Sequence, residues 1–104
     1  MMDMNMDEQV KIKTLTGHAP VQAEGTICGK RFHFRARWSG WCLSVAEDES
    51  VDPIDINTSE QGFYVEGDYG RKGGYEASYM PDEDAKAIIE RCAQAFISKS
   101  QTTV

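Results

Sequence analysis

The chain has 104 residues, 40% hydrophobic and 27% charged, with 17 acidic against 11 basic side chains and a net charge of −6. That length accommodates one domain and excludes two, and the composition excludes global disorder. An acidic total disfavours a general nucleic-acid binder, because neutralising phosphates needs a surplus of Lys and Arg.

The expected domain covers residues 10–99, with polar tails at 1–9 and 100–104. The first tail mixes Met with Asp3, Asp7 and Glu8 and lacks the positive and apolar stretches of a signal peptide. The three cysteines, Cys28, Cys42 and Cys92, are odd in number and widely spaced, which does not read as a disulfide framework. Together these features predict free thiols in a reducing cytoplasm. No apolar run approaches the ~20 residues of a membrane helix.

Val10 and Ile12 alternate with Lys11 and Lys13 as a short strand, broken at Gly17 to Pro20. Its neighbour in a sheet is left open by the pattern. In residues 21–27, Val21, Ala23, Gly25 and Ile27 alternate with polar residues. In residues 31–38, Phe32, Phe34, Ala36 and Trp38 do the same. A two-residue turn at Gly29-Lys30 closes these into a hairpin. It sets Ile27 opposite Phe32, Gly25 opposite Phe34, Val21 opposite Trp38, and Glu24 opposite Arg35 as an ion pair. A second turn at Ser39-Gly40 leads to a strand with Trp41, Leu43 and Val45 inward and Cys42 and Ser44 outward. The acid- and Pro53-containing stretch 47–61 reads as a long polar loop. Phe63, Val65 and Tyr69 suggest a fourth strand of this series with a weak point or bulge at Gly67, and Tyr75, Ala77 and Tyr79 a last one. Pro81 and the acids Asp82, Glu83 and Asp84 suit a helix start. Ala85, Ile88, Ile89, Cys92, Ala93, Phe96 and Ile97 recur at helical spacing. The expected fold is α+β: an antiparallel β-meander of about five strands packed by one C-terminal α-helix.

Candidate chemistries are weak. Cys28, Cys42, Cys92, His18 and His33 lack the paired spacing of a zinc site, so no metal or cofactor is expected. Cys28 and His33 fall on one hairpin face, but nothing is evident to orient the histidine. The acids sit in a polar loop with nothing to desolvate one of them. Gly70 to Gly74 lacks the Gly-Lys-Ser/Thr ending of a phosphate loop. The chain is therefore expected not to be an enzyme; an enzyme with a dispersed site is a rival expectation.

Charge is distributed unevenly. Between Ser39 and Gly70 stand eight acids, Glu47, Asp48, Glu49, Asp52, Asp55, Glu60, Glu66 and Asp68, and no Lys or Arg. Lys30, Arg31, Arg35 and Arg37 give the first hairpin a basic outer edge. A charge run often only faces water; the functional alternative is that the acids dock on a basic partner. Arg31, Arg35 and Arg37 form the rival face, able to hold phosphates while Trp41 or Tyr64 stacks on bases.

The stretch Gly29-Lys30-Arg31-Phe32-His33-Phe34-Arg35-Ala36-Arg37, then Trp41, then Tyr79-Met80-Pro81-Asp82-Glu83-Asp84-Ala85 resembles small proteins of bacterial phages and mobile elements, among them the anti-CRISPR inhibitors. The resemblance spans about half the chain, lies in fold-forming residues and carries over no functional residue. It implies a small cytoplasmic inhibitor, in a bacterial host cell, that binds one large complex. The leading expectation is thus a non-enzymatic protein whose acidic surface occupies the nucleic-acid-binding surface of a partner such as a CRISPR effector complex. The rivals are a nucleic-acid-binding module using the arginine face and a self-associating domain with no ligand. A monomer or weak homodimer is expected, with no membrane partner.

Overall fold

The computed structural model describes residues 9–101; most of the expected N-terminal tail and residues 102–104 lie outside the described residues. Five strands follow one another across a single antiparallel sheet: β1 (Val10–Thr16), β2 (Val21–Ile27), β3 (Lys30–Arg37), β4 (Gly40–Ala46) and β5 (Phe63–Asp68). Each pairs with its sequence neighbour, so β1 is placed at one edge and β5 at the other. One helix, α1 (Asp82–Gln101), follows and runs past the point where the C-terminal tail was expected. The fold is α+β, a five-stranded meander with a C-terminal helix. Among the described residues no helix is long and apolar enough to cross a membrane.

Alternation in the sequence gives the sheet one dry face. Val21, Ala23, Ile27, Phe32, Phe34, Leu43 and Val45 are buried there and join Ile88, Ile89, Ala93 and Phe96 from α1 in one core. A fully buried Phe, Ile or Leu side chain contributes about 1.5–3 kcal/mol, which docks the helix. Phe96 meets Phe63 edge-on, with ring centroids 5.1 Å apart. Acids in the first turn of α1 lie where its dipole favours them. One of them, Asp84, accepts a hydrogen bond from the Tyr69 hydroxyl just beyond β5, which pushes the phenol up to about 12.

Both central hairpins close two residues away from the expected register. The first turn is Cys28-Gly29, with Ile27 opposite Lys30 and Gly25 opposite Phe32. The second is Trp38-Ser39, with Arg37 opposite Gly40 and Phe34 opposite Leu43. A shift of two residues leaves every side chain on its own face, so alternation cannot choose between the registers. Turn geometry chooses. Cys28 (φ 53) and Gly29 (φ 81) both take positive φ, as the type I′ turn that matches strand twist requires. Glu24 therefore faces His33, and Arg35 faces Gln22; the expected Glu24–Arg35 pair is not among the ion pairs of the described residues.

The expected strand at Tyr75 to Tyr79 is a 3₁₀ turn, Glu76–Tyr79. Its polar groups close the ends of other elements rather than a ladder. Ala77 N–H donates to Trp38 O (2.7 Å) and Ala19 N–H to Ser78 O (2.8 Å). Ser78 Oγ accepts from Trp38 N–H (2.7 Å). Only Ala77 of the alternating trio is buried; Tyr75 and Tyr79 are 66% and 62% exposed. Gly67 is no bulge either. It pairs regularly with Trp41, and a Cβ there would come within 2.5 Å of the indole, so the glycine is the seat of the Trp41 ring. The irregularity sits in β1 instead, between Ile12 and Thr14.

Candidate functional site

The face of the sheet opposite α1 carries the polar partners of the alternation, and a loop covers half of it. Leaving β4, residues 47–62 fold back over β3 and β4 through a 3₁₀ turn, Pro53–Asp55. Pro53 and Ile56 are buried. The Ser44 hydroxyl donates to Pro53 O at 2.6 Å. Arg31 donates to Val51 O at 2.8 Å and Glu49 O at 3.4 Å, and Lys30 Nζ donates to Glu47 O at 3.1 Å. The loop thus meets the basic end of the hairpin with its carbonyl oxygens, not with its carboxylates.

His33 lies beneath this cover, 7% exposed, with Nε2 3.3 Å from Gln22 Oε1. Burial lowers its pKa; Arg35 acts in the same sense, and Glu24 and Asp52 oppose it. Burial thus favours the neutral imidazole.

Six of the eight expected acids lie in the loop and two on β5. Asp48 and Asp52 build the loop. Asp48 accepts from Ser50 N–H (2.9 Å) and Oγ (3.0 Å), which lowers its pKa, and Asp52 accepts from Ile54 N–H (3.1 Å) to start the 3₁₀ turn. Glu47 lies 3.8 Å from Lys99. Glu49, Asp55 and Glu60 are exposed and take part in no ion pair among the described residues. Glu66 and Asp68 are elsewhere, on the outer face of β5.

There they share a groove of about 750 Å³ with Arg35, Arg37, Trp38, Cys42 and Tyr64. The structure therefore separates the three expected arginines. Arg31 is engaged by the loop, while Arg35 and Arg37 stand in the groove with two of the acids. The Arg37 guanidinium lies 4.6 Å over the Trp38 ring. Trp41 faces the helix side, stacked 6.2 Å from Phe34. Tyr64 donates to Glu66 at 3.2 Å; burial first, then Cys42 and Glu66, push its phenol up to about 12. Burial also raises the Cys42 thiol. A protonated thiol is a poor nucleophile, and Cys28 sits in the exposed turn while His33 is under the loop. Among the described residues no three His, Cys, Asp or Glu side chains gather as a metal site would need.

Sequence reasoning missed the residues that fix the loop. Ser44, Pro53 and Ile56 were read as an outward position and parts of a polar loop. The signal present is Pro53 and Ile56 set among the acids, both buried, whereas Ile54 is 54% exposed. The chain matches no protein-family model, no curated protein and no solved structure.

Proposed function

We propose that the chain is a non-enzymatic binding protein that docks the acidic 47–60 loop on a basic surface of a protein partner, of the kind a CRISPR effector complex uses to hold nucleic acid. One observation carries this reading. The loop is anchored by backbone carbonyls, a serine hydroxyl and two buried side chains, while Glu49, Asp55 and Glu60 remain exposed. A preformed loop loses little conformational entropy on binding, and exposed carboxylates steer it to a positive partner. The arginine face has less in its favour, because Arg31 is committed to the loop and acids share the groove of Arg35 and Arg37.

The test is binding to a purified CRISPR effector complex at low and high salt, comparing the native chain with Glu49→Lys/Asp55→Lys/Glu60→Lys. These positions are exposed and cap no turn, so the variant keeps the fold; Asp48 and Asp52 are left intact for the opposite reason. Binding that weakens with salt, as exposed charges are screened within ~8–10 Å, and is lost in the variant supports the reading. Binding indifferent to both changes removes the acidic loop from the interface, and no binding removes this partner class.

A further inference from the structure

The open half of the outer face carries its charges in level rows. Arg35, Cys42 and Glu66 share one cross-strand rung, and Arg37, Gly40 and Asp68 share the next that faces the same way. Cations thus stand on β3, acids on β5, and small residues on β4 between them. Neither row closes an ion pair within the chain among the described residues. The four charges sum to zero although the chain as a whole carries −6.

We propose that a second copy of this chain closes the face, about a two-fold axis running parallel to β4 and above it. The inference is independent of the proposed docking function. Rotation about such an axis lays β3 of one copy over β5 of the other and keeps every rung level. Arg35 then meets Glu66 of the second copy, Arg37 meets Asp68, and both contacts are repeated by symmetry, as an isologous interface requires. Aligned sheets pack about 10 Å apart, a gap that Arg and Glu side chains span together. An axis across the strands would stack β3 on β3 and oppose arginine to arginine, which is repulsive. Charge therefore selects one of the two simple face-to-face arrangements.

The covering loop confines the contact to the two open rungs. Its 3₁₀ turn packs on β3 and β4 and borders Lys11, Glu24 and Thr26 on the side away from β5. The same rotation sets the two acidic loops side by side at one end. Like charge there opposes closure, and the patch is only three strands wide, so the dimer is weak and concentration-dependent.

Sedimentation at submillimolar chain concentration tests it with two exposed-charge variants, Arg35→Glu/Arg37→Glu and Glu66→Arg/Asp68→Arg. The native chain self-associates; each variant alone dimerises about tenfold or more weakly, because every rung becomes like-charged. Mixed together, the two variants form a heterodimer in which every rung is again complementary. The mixture then sediments as a dimer at a concentration where each variant alone is monomeric. A native chain that stays monomeric overturns the proposal. So does a dimer indifferent to both reversals, or a mixed pair that fails to associate.

Discussion

The two halves of the sheet's outer face are built from the same alternating pattern and end in opposite environments. Near the Cys28-Gly29 turn, His33 and Ser44 are buried at 7% and 4% exposure. Two residues along each strand, Arg35 is exposed and Cys42 half-buried. The pairing of β3 with β4 is regular through both rungs; the loop makes the difference. Where residues 47–62 fold back, small or neutral polar side chains take hydrogen-bonded places under them. Where the loop ends, charged and aromatic side chains face a groove. An outward-facing strand position is thus a place for a second layer, and the layer's own chemistry decides whether it becomes interior.

If the loop is the origin of the difference, removing its anchors should make the covered half behave like the open one. The largest effect is expected for Ile56→Ala. Ile56 is 4% exposed, and Gly62 leaves space for its Cδ1, which an added Cβ would approach to 2.9 Å. Ile→Ala at a buried site costs about 2–5 kcal/mol, and the lower end applies where a loop can settle into the space. Thermal or urea unfolding measures it. Ser44→Ala comes next: it leaves Pro53 O without its 2.6 Å donor, at about 1–2 kcal/mol. Limited proteolysis within residues 47–61 should accelerate in both variants while the β3–β4 amides keep their protection from exchange. Unchanged cleavage would mean that the loop is held by something other than these contacts.

How far this was legible in the sequence follows from the same contrast. Faces were readable, because alternation reports which residues share a side. The helix was readable from the spacing of Ile88, Ile89, Cys92 and Phe96. Register was not, because slipping by two residues preserves faces, and the deciding fact was the willingness of Cys28 and Trp38 to adopt positive φ. The Tyr75–Tyr79 segment misled for a related reason, since period-two alternation also describes a turn with one buried alanine between two exposed tyrosines. The candidate acids were found as a run, but their division was not, because Glu66 and Asp68 follow the loop in sequence and lie across from arginines in space. Loop cover depends on contacts between Ser44 and Pro53 or Arg31 and Val51, which no local pattern encodes.

The covered half should also be the pH-sensitive half. His33 has its pKa lowered by burial, so the unfolded chain takes up a proton at higher pH than the folded one. Stability from this group is present above the ordinary value near 6.5 and is lost as pH falls through the folded value. Unfolding midpoints measured between neutral pH and about 5.5, above the ordinary carboxylate range, should therefore decline on acidification. His33→Gln should flatten the decline, because an amide has no proton to gain. A native-like slope in that variant would move the titration away from His33.

On the open half the smallest change in stability is expected. Arg35 and Glu66 are exposed, and neither belongs to an ion pair among the described residues. Surface substitutions of this kind stay within about 0.5 kcal/mol of zero. Arg35→Ala and Glu66→Ala should accordingly leave the unfolding midpoint of the dilute monomer nearly unchanged, with Glu66→Ala releasing only the Tyr64 hydroxyl to water. At high concentration the expectation reverses. If a second copy closes the face, the native chain gains stability with concentration by mass action, and both alanine variants lose that gain while keeping the dilute value. Measuring one midpoint at two concentrations therefore separates side chains that hold the fold from those that hold a neighbour. A large loss at low concentration would assign Arg35 or Glu66 to the fold, and the two halves of the face would then differ less than their exposure implies.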